Sequence, residues 1–230
     1  MREVKADAGI AFDGDADRLG VIDDRGTIIW GDKLLILFSR FILKERPGAK
    51  FIADVKCSHL FFEDVKRRGG EAIMWKTGHS LIKQKLRDEH AALGGEMSGH
   101  MFFADRYFGF DDGLYAGIRV LEILDRTGQK LSELLNDVPK TYATPELRVD
   151  CPDDEKFEIV ARTAEFFKRR YPTVDLDGVR IEFGDGWGLV RASNTQPVLV
   201  TRFEAVSENR LREIRKLVED KISEFSKQVR

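Results

Sequence analysis

The amino-acid sequence predicts an α/β fold, with a mixed or parallel-sheet α/β domain followed by a smaller α+β domain at the C-terminal end. Short apolar runs alternate with helix-like amphipathic segments up to about residue 140, which is typical of a largely parallel sheet covered by helices. After residue 141 the strand-like runs follow one another closely. Pro139 cannot continue a helix, so we expect the domain boundary near residues 138–145.

Length and composition narrow the class of protein. The 230 residues fit one large or two small domains, and 42% hydrophobic with 34% charged residues predicts a globular chain. The 38 basic and 40 acidic residues create no positive field, so nucleic acid is not an expected partner. Cys57 and Cys151 form no metal or disulfide motif. Without a signal peptide or an apolar stretch of about 18 residues, we expect a cytoplasmic protein and no membrane partner.

The elements of the first domain are predicted from apolar runs and from the residues that bound them. Strands are expected at residues 8–12, 27–30, 51–55, 71–75 and 91–95. Helices are expected at residues 33–44, 58–68, 79–89, 113–126 and 131–137. Asp32 is expected to cap the first helix. The strand at residues 8–12 reads as buried and has no upstream partner, which predicts that part of its sheet comes from another segment.

The second domain is predicted in the same way. Its expected elements are a strand at residues 144–149, a helix at 154–171, strands at 179–183, 188–191 and 197–205, and a helix at 207–226. This mixture of strands and two helices predicts a small α+β unit.

An acidic loop follows the first strand. Asp13, Asp15 and Asp17 stand at every second position, which in an extended loop points all three carboxylates the same way. Such a cluster of like charges favours a hard cation such as Mg²⁺ or Ca²⁺. An EF-hand is excluded, because its sixth and twelfth loop positions would be Arg18 and Asp24 instead of Gly and Glu. A solvated acidic turn is the alternative.

A glycine-rich segment at residues 94–100 carries groups suited to sugar hydroxyls. Glu96, Ser98 and His100 offer hydrogen-bond acceptors and donors, and the glycines allow a ligand to approach the backbone. His100 could also act as a general acid or base near neutral pH. An ordinary glycine-rich turn is the alternative. Lys56 and His79 follow predicted strands and are expected to face the same cleft.

A third segment, residues 191–197, predicts an anion site. Arg191, Ser193, Asn194 and Thr195 combine guanidinium, hydroxyl and amide donors in one short turn, and Arg202 follows on the next strand. Donors of this kind bind a phosphate dianion. A polar hairpin loop is the alternative.

Taken in order, these segments resemble the α-D-phosphohexomutase family over nearly the whole chain. The forms Gly-Glu-Met-Ser-Gly-His and Arg-x-Ser-Asn-Thr-x-Pro resemble its bacterial phosphomannomutase/phosphoglucomutase branch. The resemblance implies a four-domain isomerase that interconverts hexose 1-phosphates and 6-phosphates through a phosphoserine and a bisphosphorylated sugar. It also implies that residues 1–25 end domain 2, residues 26–140 form the sugar-binding domain 3 and residues 141–230 form the phosphate-binding domain 4.

The resemblance assigns a role to each segment. The residues implied to hold Mg²⁺ are Asp13, Asp15 and Asp17. Those implied to take part in catalysis are His100, Lys56 and Arg18. Those implied to bind the sugar are Glu96, Ser98, His100 and His79. Those implied to hold the non-reacting phosphate are Arg191, Ser193, Asn194, Thr195 and Arg202.

One expected segment has no counterpart. The family's phosphoserine loop has the form Thr-Ala-Ser-His-Asn-Pro, which no part of this sequence resembles. The resemblance therefore implies a piece of a longer enzyme, which binds mannose or glucose phosphates and needs N-terminal domains for turnover. The alternatives are a non-catalytic phosphosugar-sensing module and a metal-dependent sugar phosphatase, since carboxylate-rich loops after apolar strands also occur in aspartyl phosphatases.

Overall fold

A computed structural model describes residue 3 and residues 5–229 of the chain. The chain divides into two compact units, one ending at Pro139 and the other beginning at Lys140. Within the described residues, no helix combines the length and the apolar character that crossing a membrane requires.

The first unit begins with a small antiparallel sheet. Its strands, in spatial order, are β1 (Ala8–Phe12), β2 (Leu19–Asp23) and β3 (Ile28–Ile29). The strand predicted at residues 8–12 is present, but it is only half-buried, with exposed residues at its end. Its partner is β2, a strand that the sequence analysis missed. The acidic loop therefore joins two paired antiparallel strands.

The rest of the first unit is the predicted mixed α/β layer. Its elements are α1 (Gly31–Glu45), β4 (Lys50–Asp54), α2 (His59–Arg67), β5 (Glu71–Trp75), α3 (His79–Asp88), β6 (Leu93–Gly95), β7 (Met101–Phe103), α4 (Gly113–Thr127) and α5 (Leu131–Leu134). The sheet order is β5-β4-β6-β7, in which β4 runs parallel to β5 and β6 while β7 is antiparallel to β6. The α/β prediction for this part is confirmed.

The capping role predicted for Asp32 is wrong. Helix α1 begins at Gly31, where a side chain would meet the Glu96 carbonyl oxygen at 2.4 Å, and Asp32 lies inside its first turn. One Asp32 oxygen accepts from the Lys33 amide and the other from the Ser58 amide at 3.1 Å. The carboxylate therefore ties the start of α1 to the loop before α2. Apolar side chains from α1 and the sheet, including the edge-to-face pair Phe38 and Phe103, form the core beneath.

The second unit is an antiparallel sheet with two helices. Its elements are β8 (Tyr142–Ala143), β9 (Leu147–Asp150), α6 (Lys156–Lys168), β10 (Thr173–Val174), β11 (Val179–Glu182), β12 (Gly186–Ala192), β13 (Val198–Ala205) and α7 (Glu208–Val229). The sheet order is β10-β11-β12-β13-β8, and β9 also pairs with β13. Apolar residues of α6 and α7 pack with alternate residues of the central strands. The turn at residues 193–197 joins β12 to β13.

Candidate functional site

The acidic loop brings its three aspartates together. Ligand oxygens of Asp13, Asp15 and Asp17 lie within 4.8 Å of one another. The loop is not extended as predicted, because Ala16 adopts a left-handed φ of 59° and its amide donates to the Asp13 carbonyl at 3.3 Å. The Arg18 amide donates to Asp13 Oδ1 at 3.2 Å. A turn therefore causes the convergence that the alternating sequence predicted for a straight segment.

The electrostatics of this loop fit a divalent cation. Burial raises the pKa of Asp17 above its ordinary value, and the charges of Asp15 and Asp13 raise it further although His100 opposes them. Asp17 Oδ1 is buried without a hydrogen bond. Arg18 Nε lies 3.3 Å from Asp13 Oδ2 and 3.8 Å from Asp17 Oδ1, so one positive charge faces two of the three carboxylates. An all-oxygen set with excess negative charge suits Mg²⁺.

The acidic loop is joined directly to the glycine-rich segment. Arg18 Nε donates to His100 Nε2 at 3.0 Å, and the backbones of these two residues form an antiparallel bridge. The Leu19 amide donates to the Gly99 carbonyl at 3.0 Å. Gly99 has a φ of 100°, and a Cβ there would lie 2.7 Å from the Leu19 carbonyl oxygen. Only glycine therefore allows the two segments to approach so closely.

The sugar-binding candidates also meet in the first unit. Glu96 is buried, and its two oxygens accept from the Gly78 amide at 2.7 Å and from Ser98 Oγ at 3.0 Å. The Gly78 bond anchors the start of α3, where His79 is the first residue. The rings of His79 and His100 lie 6.2 Å apart between centroids and are nearly parallel. Glu96 therefore holds Ser98 and the His79 loop against the same segment.

Lys56 is linked to this cluster through a buried aspartate. Its Nζ lies 3.6 Å from Asp54 Oδ2. Asp54 Oδ1 accepts from the Met97 amide at 3.5 Å, and Oδ2 accepts from Thr77 Oγ1 at the same distance. Asp54, at the carboxyl end of β4, thereby connects Lys56 to the loops after β5 and β6.

The sequence analysis missed Asp111, which lies beside both histidines. Its Oδ2 is 3.4 Å from His100 Nδ1 and 3.6 Å from His79 Nδ1, and its Oδ1 accepts from Lys83 Nζ at 2.9 Å. Burial would raise the pKa of Asp111, but the Lys83 bond and the charges of Lys83 and His100 hold it below the ordinary value. The sequence offered no signal for this residue except its place in Asp111-Asp112-Gly113, which reads as a helix start.

The candidate phosphate turn in the second unit has a different construction. Ser193 Oγ accepts from the amides of Thr195 at 3.3 Å and Gln196 at 3.1 Å, which fixes the turn. Lys156 Nζ donates to the Gln196 carbonyl at 3.2 Å. Asn194 and Thr195 are exposed at its tip. The turn is therefore held from within, while its amide and hydroxyl side chains face solvent.

The two arginines predicted to bind phosphate lie in neighbouring strands. Arg191 Nε is 3.1 Å from Asp177 Oδ2, an ion pair that the sequence analysis did not predict. Gly178, with a φ of 77°, allows this approach, since a Cβ would lie 2.2 Å from the Val190 carbonyl oxygen. Arg202 is buried in β13 and its guanidinium lies 5.8 Å from the centroid of the Trp187 ring. Arg202 is therefore part of the sheet and not of the turn itself.

Comparisons with known proteins agree with this architecture. Residues 30–142 match the family "Phosphoglucomutase/phosphomannomutase, alpha/beta/alpha domain III", and residues 146–221 match "Phosphoglucomutase/phosphomannomutase, C-terminal domain". The chain is 47% identical over 94% of its length to a phosphomannomutase/phosphoglucomutase of Pseudomonas putida, covering 47% of that protein. It is 50% identical over 89% of its length to a phosphoglucomutase of Neisseria gonorrhoeae, covering 45% of it.

A solved structure gives the same result. A phosphoglucomutase/phosphomannomutase family protein from Burkholderia thailandensis superposes with a TM-score of 0.87 at 44% identity, over 99% of this chain and 48% of that one. The chain thus spans about half the length of the relatives that it matches. The two consecutive domain matches and the shared fold show that the chain belongs to the phosphoglucomutase/phosphomannomutase family.

Proposed function

We propose that this chain is the sugar- and phosphate-binding part of a phosphohexomutase, an intramolecular phosphotransferase that interconverts hexose 1-phosphates and 6-phosphates. The observation that carries the proposal is the junction of the acidic loop with the segment bearing Glu96 and His100, through the 3.0 Å bond from Arg18 to His100. Residues 1–25 are assigned to the end of domain 2, residues 26–140 to domain 3 and residues 141–230 to domain 4.

The acidic loop is assigned the role of binding the metal ion. Asp13, Asp15 and Asp17 would hold Mg²⁺, which neutralises charge on a transferring phosphoryl group when it is bound. Arg18, with its guanidinium against both Asp13 and His100, would hold the same region in place. The converging carboxylates and the unsatisfied oxygen of Asp17 support this assignment.

The glycine-rich segment is assigned to the sugar. Glu96 and Ser98 would exchange their mutual hydrogen bond for bonds to sugar hydroxyls, with His79 alongside. His100 would move protons to and from the reacting hydroxyl, since an imidazole can do so near neutral pH. Lys56, buried beside Asp54, would contribute a positive charge for the substrate.

The turn in the second unit is assigned to the phosphate that does not react. Arg191 supplies a guanidinium, and Ser193, Asn194 and Thr195 supply hydroxyl and amide donors on a turn that is already fixed. A fixed turn loses little conformational entropy on binding, which favours affinity. Arg202 would add positive charge from β13.

Turnover needs a phosphoserine that no segment of this sequence provides in the family's form. We therefore expect this chain to bind mannose and glucose phosphates, including the 1,6-bisphosphate, while the N-terminal domains of the longer enzyme complete the reaction. One polypeptide containing both halves would then be active.

Calorimetric titration with glucose 1-phosphate and glucose 6-phosphate in the presence of Mg²⁺ tests the proposal. Wild-type chain should bind, and Arg191→Ala should weaken binding about 10- to 100-fold, because a hydrogen bond to a charged group contributes roughly 1.5–3 kcal/mol. Arg212→Ala, which removes an exposed arginine of α7, is the matched control and should bind like wild type.

Two results would contradict the proposal. Equal affinities for wild type and Arg191→Ala would remove the turn from the phosphate site. Steady release of inorganic phosphate from glucose 6-phosphate, abolished by Asp13→Asn, would instead identify a phosphatase.

A further inference from the structure

One carboxylate beside the candidate site, that of Asp111, has no role in the proposed function. The Asp111 side chain is 11% exposed and lies between α3 and the glycine-rich segment. Lys83 donates to its Oδ1, and its Oδ2 faces the Nδ1 atoms of His100 and His79. One oxygen is thus anchored to a lysine and the other is directed at two imidazoles.

The backbone holds Asp111 in this place from both sides. Asp111 forms an isolated antiparallel bridge with Phe102 of β7. The next residue, Asp112, caps α4 by accepting from the Tyr115 amide at 2.8 Å, and its other oxygen accepts from the Tyr107 hydroxyl at 2.7 Å. The position of the Asp111 carboxylate is therefore set by a strand and a helix start, independently of the histidines.

The contacts of His100 determine which of its nitrogens carries the proton. Arg18 Nε donates to His100 Nε2, and a neutral imidazole has one donor and one acceptor nitrogen. The proton therefore belongs on Nδ1. This Nδ1 is buried and forms no regular hydrogen bond. The carboxylates nearest to it are those of Asp111 at 3.4 Å and Asp17 at 3.7 Å.

We propose that Asp111 is a positioning residue that keeps the proton of His100 on Nδ1, so that the Nε2 lone pair stays directed towards Arg18 and the acidic loop. Asp17 is the weaker candidate for this task, because its oxygens converge with those of Asp13 and Asp15 on the candidate cation site. The inference rests on the proposed role of His100 in proton transfer. A carboxylate that orients an imidazole in this way acts through the imidazole and does not touch the substrate.

The chain is well suited to a direct test, because it contains only four histidines, at positions 59, 79, 90 and 100. Long-range ¹H–¹⁵N correlation spectra of chain labelled with ¹⁵N-histidine distinguish the two neutral tautomers of each ring. A His100→Gln variant identifies the His100 signals. Spectra are recorded about two pH units above the ordinary histidine pKa, where imidazoles are neutral. The wild-type chain should show His100 predominantly with its proton on Nδ1.

Asp111→Asn should reverse this tautomer. The asparagine amide can donate to Nδ1, which moves the ring proton to Nε2, as the equivalent change does in a serine-protease triad. Arg18, whose side chain is 52% exposed, then turns from Nε2 to solvent. Asp125→Asn, an exposed position on α4 with the same change of charge, should leave the His100 spectrum unchanged. Asp17→Asn should also leave the proton on Nδ1, because Asp111 remains.

Three outcomes would overturn the inference. These are a wild-type His100 with its proton on Nε2, an unchanged tautomer in folded Asp111→Asn, and a reversed tautomer in Asp17→Asn. If Asp111→Asn does not fold, the wild-type and Asp17→Asn spectra can still overturn the inference. The spectra need no sugar phosphate, so a failure of the proposed function in calorimetry is distinguished from a failure of this inference.

Discussion

The glycine-rich segment of the first unit and the turn at residues 193–197 of the second are built by opposite means. The first is buried except at Met97 and Ser98, and its Glu96 carboxylate and His100 imidazole form hydrogen bonds with other groups of the protein. The second is exposed at its tip and is fixed by one serine hydroxyl and one lysine. The first is thus a part of the core of its unit, whereas the second is a local structure on the surface of a sheet.

This difference predicts where mutations act. In the buried segment, changes disturb packing and buried bonds, so they should lower the free energy of unfolding as well as ligand affinity. In the exposed turn, changes remove few buried contacts, so they should mainly affect the affinity for phosphate. The predictions below test these two arrangements and the acidic loop that contacts the first of them.

The largest effect is expected from Gly99→Ala. The substitution forces a left-handed φ on alanine and places a methyl group 2.7 Å from the Leu19 carbonyl oxygen. We expect a loss of about 3 kcal/mol in the free energy of unfolding, measured by urea denaturation. Gly14→Ala in the acidic loop is the control, because no atom lies within 4 Å of its added Cβ. Similar losses in the two variants would show that the close approach at Gly99 is unimportant.

The next effect concerns Mg²⁺. If the three aspartates of the acidic loop bind it, then Mg²⁺ at about 100 times its dissociation constant should raise the free energy of unfolding by about 2.7 kcal/mol. Asp15→Asn should abolish most of this gain, because one of three converging carboxylates is lost. Asp125→Asn on α4 should retain it. Stabilisation that persists in Asp15→Asn would place the cation elsewhere.

A smaller effect is expected from Ser193→Ala. The turn loses both hydrogen bonds to the serine oxygen, which should lower stability by about 1 kcal/mol. Affinity for glucose 6-phosphate should fall about fivefold, since the loosened turn must be ordered on binding. Ser207→Ala is a matched control: its hydroxyl accepts from the Arg210 amide at the start of α7, so stability should fall similarly but affinity should not.

Much of the fold could be predicted because long periodic segments are informative. The alternating strands and helices of the first unit and the two long helices of the second were predicted within a few residues of their observed bounds. The missed strands are β2, β7, β8 and β10. These have two to five residues each and exist because of pairing with other strands, which periodicity within one segment cannot reveal. The error at Asp32 has the same origin, since its partner Ser58 lies 26 residues away.

The candidate site was predictable only where several functional residues lie close together in the sequence. The acidic loop, the glycine-rich segment and the phosphate turn each place several functional residue types close together, so their composition alone was informative. Asp111 and Asp177 lie outside these segments, and their importance comes from His100 and Arg191, which the fold brings beside them. No local pattern distinguishes such residues from solvated aspartates. The individual roles of the predicted site residues stay predictions.

The smallest effect is expected from Arg148→Ala. Arg148 of β9 donates to the Gln196 side chain at 2.7 Å, but its own side chain is 58% exposed, so the bond competes with water. We expect a stability change of a few tenths of a kcal/mol at most and less than about a twofold change in glucose 6-phosphate affinity, measured by the same calorimetry. Arg191→Ala removes the same kind of side chain from the neighbouring region of the sheet and should have a far larger effect on affinity. If the two variants weakened binding equally, the orientation of Gln196 would be part of the phosphate site, and the turn would depend on its surface contacts as much as on Ser193.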